Sequence, residues 1–321
     1  MTNETTEFSY LDAQAAALGV ESPTVARVHL TLADGRELSA LRFGVEEPVA
    51  LFLHGAGLNA HTWDATILSL GLPALAIDLA GHGDSSWRSD ANYSPTTLAD
   101  DIAQACRAWT TRPQIFVGHS LGGLAAAALA ARHPEFVAQL VIVDITPGVD
   151  MSAGPAMLRQ FFAGPTDFAS REELVNKAMQ FGLGGSHADT ERGVFLNTRV
   201  RDDGRVEWKH HFAHIAAQAL DNQNDDVPAL LSEQGWHDLA AVRAPITLVR
   251  ALHGFVTPDD AAEFARRVPR AIVTALDATH NAQETAYNEL AALVRARYTP
   301  EASGSPAASG DPTASGNPTA Q

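Results

Sequence analysis

One stretch of this chain combines a potential nucleophile with the backbone that would expose it. Residues 114–132 begin with a short apolar run of β propensity, Ile115-Phe116-Val117. They pass through Gly118-His119-Ser120-Leu121-Gly122 and continue as an Ala/Leu run that ends before Pro134. Strand, sharp turn and helix is the context in which G-x-S-x-G carries chemical meaning. A serine at such a turn sits in a strained conformation that lifts its Oγ clear of the chain. The residues two places either side pass close together, so both must be small, and Gly118 and Gly122 supply this. The following helix leaves its first N–H groups unpaired, and that of Leu121 can stabilise a developing oxyanion.

Such a serine must be held by a sheet, and the rest of the chain supplies one. Val25 to Leu32 and Glu37 to Phe43 alternate around Asp34-Gly35 as a hairpin. Val49 to Leu53 is a solid apolar run, as expected of a strand buried on both faces; Ala74 to Leu79 and Gln139 to Ile145 read as further buried strands, and Ile246 to Arg250 and Ala271 to Leu276 carry the last strand signals. Helices are expected at Ala60 to Leu70, Pro95 to Trp109 (with Ser94 as cap), Pro258 to Arg267 and Asn281 to Arg297. This alternation predicts an α/β fold: a mostly parallel sheet with helices on both faces, opened by an antiparallel hairpin. Ligand sites in such sheets lie beyond the carboxyl ends of the strands. His54, Asp78, Ser120, Asp144 and His280 all fall at such ends.

From Val149 to Gly235 the strand runs give way to short amphipathic stretches such as Glu172 to Phe181 and His210 to Leu220. This predicts a mostly helical insertion over 149–235, dividing a core of 1–148 and 236–298. Its Met151, Met157, Phe161, Phe162, Met179, Phe181, Trp208 and Phe212 suit an apolar lid or the insertion's own core equally. From 299 to 321 a hexapeptide repeat without large apolar residues predicts a disordered tail.

The 321 residues are 45% apolar, enough for a large core, and the net charge of −16 argues against a nucleic-acid or anionic-membrane surface. Cys106 is the single cysteine, so no internal disulfide forms. The polar start has no signal-peptide pattern, and no apolar run reaches membrane-spanning length. A cytoplasmic enzyme is therefore expected, with homo-oligomerisation left open. His210 and His214, four apart, have the spacing of a zinc pair, but no third ligand is indicated and a polar helix face explains them better. No metal or cofactor is expected.

Four ordered motifs carry a resemblance: Leu53-His54-Gly55-Ala56-Gly57, Asp78-Leu79-Ala80-Gly81-His82-Gly83-Asp84-Ser85, Gly118-His119-Ser120-Leu121-Gly122-Gly123 and Ala278-Thr279-His280. Over residues 25 to 298 the chain resembles the α/β-hydrolase superfamily, in particular members with a helical cap inserted after the sixth strand. The resemblance implies an eight-stranded sheet, a second oxyanion N–H from Ala56, and a base at His280. It makes His54, His119 and the 78–85 loop structural. The family's usual acid follows the seventh strand, where this chain has Gly254. Asp259 and Asp260 lie beyond Pro258 and are expected to open a helix. Some members place the acid at the end of the sixth strand, which Asp144 matches.

The implied chemistry is acyl transfer to water. Ser120 attacks, His280 moves the proton, Asp144 orients the imidazole, and the Ala56 and Leu121 amides hold the oxyanion. A serine rather than an aspartate nucleophile argues against epoxide hydrolase and dehalogenase chemistry. The expected substrate is a small carboxylic ester or lactone with an apolar acyl or ring portion. Carbon–carbon hydrolysis of a diketone-type substrate and a non-catalytic ligand receptor are the rival readings.

Overall fold

A computed structural model describes residues 5–149, 161, 165–181, 185–215 and 231–299. The expected tail, Met151, Met157, Phe162 and much of the insertion lie outside these residues. Helix α1 (Leu11–Leu18) precedes the hairpin β1 (Val25–Thr31) and β2 (Glu37–Phe43). Then follow β3 (Ala50–Leu53), a 3₁₀ turn at Ala60–Trp63, α2 (Asp64–Leu70), β4 (Ala74–Asp78) and α3 (Pro95–Trp109). The first half closes with β5 (Gln114–His119), α4 (Leu121–Arg132) and β6 (Val137–Val143).

The insertion contributes β7 (Asp167–Phe168), α5 (Arg171–Gln180), α6 (His187–Asn197), β8 (Thr198–Val200) and β9 (Val206–Trp208). The core resumes with α7 (Glu233–Ala241), β10 (Ile246–His253), α8 (Pro258–Arg267), β11 (Ile272–Thr279), α9 (Ala282–Thr285) and α10 (Tyr287–Arg295).

The main sheet has eight strands in the order β1-β2-β4-β3-β5-β6-β10-β11. Only the contacts of β2 with β1 and β4 are antiparallel; every other pairing is parallel. The central strands β3, β4 and β5 are buried at every position, which accounts for their unbroken apolar runs. One face packs Leu98, Ile102, Leu124, Leu129, Leu239 and Phe264 from α3, α4, α7 and α8. The other packs Leu11, Ile67, Leu70, Leu290 and Val294 from α1, α2 and α10.

Two features differ from the sequence reading. The insertion is not helical alone: β7, β9 and β8 form a three-stranded antiparallel sheet. Phe161, Phe168, Leu174, Val194 and Trp208 bury one another in a separate small core. Strands of two or three residues are too short to display an alternation in sequence. The C-terminal helix is also broken, at Ala286 (φ −139°, ψ 42°). Thr66 Oγ1 donates to the Gln283 carbonyl and the Gln283 amide donates to Thr62 Oγ1, so α9 is tied to α2 rather than continuing α10's axis.

Candidate active site

The elbow follows from three close approaches. A Cβ on Gly118 would lie 2.4 Å from the Gly122 carbonyl oxygen, and one on Gly122 would lie 2.3 Å from that of Leu53. Neither position admits a side chain, so β5 and α4 meet at a turn that only glycines permit. Between them Ser120 has φ 50° and ψ −120°, a conformation L-residues rarely hold. Its amide donates to the Val143 carbonyl at 3.0 Å, which fastens the elbow to the end of β6.

The next residue beyond that carbonyl is Asp144, wholly buried and also at φ 50°. Its carboxylate accepts from the amides of Ala251 (2.9 Å) and Phe255 (2.6 Å), with a longer approach from Val256 (3.4 Å). Its Oδ2 also meets His280 Nδ1 at 2.8 Å. Three strand ends therefore converge: β6 brings the carboxylate, β10 the amides that hold it, and β11 the imidazole. Gly254 explains why the loop after β10 carries no acid of its own. A Cβ there would stand 2.0 Å from Asp144 Oδ2, so the Asp144 carboxylate already fills that space. Asp259 and Asp260 open α8, and Asp260 closes a capping box with Thr257.

The His280 ring lies between two others. His119, beside Ser120, has its ring centroid 4.5 Å away, and Phe255 stacks at 3.6 Å with 15° between planes. Burial first, then the nearby His280 charge, hold the His119 pKa well below the ordinary value, so this ring is neutral. A Cβ on Gly55 would come within 2.6 Å of His119 Nδ1 and 3.2 Å of Ser120 Cβ, which places the loop after β3 directly against the elbow. In that loop Ala56 is exposed. Among the described residues neither its N–H nor that of Leu121 has a hydrogen-bond partner.

The remaining motif residues build the walls. His54 is buried; its Nδ1 donates to the Gly55 carbonyl and its Nε2 accepts from the Leu79 amide. Burial lowers its pKa, so it is a neutral clamp joining the loops after β3 and β4. Asp78 accepts from Arg27 Nη1 (2.6 Å) and from the amides of Ala60 and Asp84. Burial would raise its pKa, but the Arg27 charge, aided by His54 and these amides, brings it below the usual range. His210 is buried and His211 Nδ1 meets the Tyr93 hydroxyl at 2.7 Å, so this cluster is packing between insertion and core rather than a polar helix face. Among the described residues no group of three His, Cys, Asp or Glu could hold a metal ion.

No local pattern in the sequence marks Phe255, whose significance depends on the carboxylate filling the space at Gly254, or Arg27, which reaches Asp78 only because β2 lies between β1 and β4. No described helix is long and apolar enough to cross a membrane.

This architecture has known relatives. The model of the α/β-hydrolase family matches residues 50–293. The chain is 38% identical over 269 residues to esterase Rv0045c of Mycobacterium tuberculosis, covering 81% of this chain and 84% of that one. It is 33% identical over 188 residues to 2-(acetamidomethylene)succinate hydrolase of Mesorhizobium japonicum, covering 57% and 66%. A solved structure of the M. tuberculosis esterase superposes with a TM-score of 0.75 at 33% identity over 92% of this chain and 99% of that one. The structure of E-2-(acetamidomethylene)succinate hydrolase superposes at 0.70 with 22% identity, over 84% and 98%, a likeness of fold alone. A family model spanning most of the chain and a relative this similar along its length establish that the protein belongs to the α/β-hydrolase family of enzymes.

Proposed function

We propose that the protein hydrolyses carboxylic esters, lactones included, through an acyl-enzyme on Ser120. The observation that carries this reading is the buried Asp144 carboxylate 2.8 Å from His280 Nδ1, on the rim where Ser120 is raised. A carboxylate on Nδ1 fixes the tautomer in which Nε2 is free to take the serine proton. Ser120 Oγ attacks the carbonyl carbon as His280 accepts its proton. The Leu121 and Ala56 N–H groups hold the oxygen as it becomes negative. His280 then returns the proton to the leaving alcohol, and a water deprotonated by the same ring releases the acid. Asp144 remains ionised and balances the imidazolium formed in each half-reaction. The esterase relative supports the ester class. The acyl portion expected from the sequence is apolar; among the residues named for a lid, Phe161 and Trp208 serve the insertion's own core and Met179 is exposed.

The test is a panel of p-nitrophenyl esters of several chain lengths, lactones and a ring-cleavage diketone, with Ser120→Ala as control. Ester or lactone turnover that Ser120→Ala reduces on the order of 10⁶-fold supports the reading. Cleavage of the diketone alone would move it to carbon–carbon hydrolysis. No labelling of the intact protein by a fluorophosphonate would point to a receptor.

A further inference from the structure

Asp144 holds His280 through a hydrogen bond at Nδ1, whereas Phe255 meets it ring to ring. The phenyl ring lies face to face with the imidazole, 3.6 Å between centroids and 15° between planes. The backbone of the same residue donates at 2.6 Å to Asp144 Oδ2, the oxygen that also meets His280 Nδ1. One residue thus touches two members of the proposed triad, the acid through its amide and the base through its ring. The arrangement depends on Gly254: the space a side chain would occupy there holds the Asp144 carboxylate, and the next residue turns its ring over the imidazole.

We infer that Phe255 is a positioning residue for His280, holding the imidazole in the plane that joins Asp144 to Ser120 and favouring the imidazolium formed during turnover. This rests on the triad proposed above. Two physical effects support it. A ring pinned on one face and bounded on the other by His119 loses the freedom to swing about χ2, and misplacement of a catalytic group by about 1 Å can cost 10²-fold in rate. The electron-rich face of a phenyl ring also attracts a cation lying over it. Among the described residues the titratable groups facing the imidazole are Asp144, at the end of β6, and His119, at the end of β5. Phe255, on the loop after β10, adds a face without a charge.

The experiment compares Phe255→Leu, Phe255→Met and Phe255→Tyr in the full chain. Steady-state kinetics on the best ester of the panel are paired with an NMR titration of the His280 ring. Phe255→Leu and Phe255→Met should lower kcat about 10- to 100-fold with KM changed less than about threefold. Their imidazole midpoint should move to lower pH. Phe255→Tyr, which keeps the aromatic face, should stay within about threefold of wild type with an unmoved midpoint. Wild-type kcat and midpoint in Phe255→Leu and Phe255→Met would overturn the inference. So would equal losses in Phe255→Tyr, which would reduce Phe255 to a support for its loop. His280→Ala separates the two levels. If that variant keeps full turnover, the triad itself is wrong; if it is inactive while Phe255→Leu is normal, only the role of Phe255 fails. A variant that melts early is still read by its titration midpoint below the transition.

Discussion

Asp78 and Asp144 are the same residue in nearly the same setting. Each stands at the carboxyl end of a strand of the main sheet, each is wholly buried, and each accepts backbone amides from a neighbouring loop. They differ in what answers their charge. Asp78 meets Arg27, a permanent cation that also binds Glu7 and Asp84. Asp144 has His280 as its one basic partner among the described residues. A guanidinium settles the charge once, and the loop of residues 78–85 becomes a fixed wall. An imidazole leaves the charge to be answered only when a proton arrives. Burial and position in the sheet are common to the two; the partner is what differs.

The comparison is sharpest in a pair of conservative substitutions. Asp144→Asn should reduce kcat about 10³- to 10⁴-fold, because an amide no longer holds His280 in the working tautomer or balances its charge. Its melting temperature should stay within a few degrees of wild type. Asp78→Asn should do the reverse. Removing one carboxylate from the buried Arg27 cluster should cost about 3 kcal/mol of stability, measured by urea denaturation, while kcat per folded molecule changes less than about tenfold. If both variants lost activity equally at equal stability, the distinction between the two aspartates would be wrong.

A smaller effect probes the same carboxylate from outside. Gly254→Ala would push a methyl into Asp144 Oδ2, at 2.0 Å in the present geometry. Steady-state kinetics should show kcat down by at least about tenfold, with the loss in kcat rather than KM. Full activity in Gly254→Ala would mean the loop yields freely and the carboxylate is not confined.

The smallest effect concerns a buried imidazole held by carboxylates, outside the proposed triad. His61 is buried between Asp64 and Glu7, and Arg192 of α6 also reaches Asp64. Burial alone would lower the His61 pKa, but the two carboxylates more than reverse this and raise it to about 9. The folded state therefore binds this proton more tightly than the unfolded chain. The resulting stability is complete below the ordinary histidine pKa of about 6.5 and is lost as pH rises through about 9. It amounts to at most about 3 kcal/mol. Urea denaturation at pH 6 and at pH 9.5 should show wild type losing more stability than His61→Gln. Equal losses would remove His61 as the cause.

Much of this was legible in the chain itself, for local reasons. Buried parallel strands need unbroken apolar runs, so β3 to β6 announce themselves. Pro95 after the Ser94 cap and Pro258 after Thr257 mark helix starts without ambiguity, and α3 and α8 run from Pro95 to Trp109 and from Pro258 to Arg267 as read. The glycines at 118 and 122 encode their own close approach. What stayed hidden depends on contacts distant in sequence. The break at Ala286 follows from Gln283 meeting Thr62 and Thr66, and the role of Arg27 follows from strand order. The ring of Phe255 gains meaning only once Asp144 fills the space beside Gly254. The short strands of the insertion carry too few residues for any pattern.

The most direct measurement of the proposed triad is the rate at which a fluorophosphonate labels Ser120, followed by intact mass, in wild type, Ser120→Ala, Asp144→Asn and Asp78→Asn. Wild type should form one stoichiometric adduct and Ser120→Ala none. Labelling should slow about 10³-fold or more in Asp144→Asn and stay near the wild-type rate in folded Asp78→Asn. Labelling of Ser120→Ala, or of Asp144→Asn at the wild-type rate, would contradict the proposed triad.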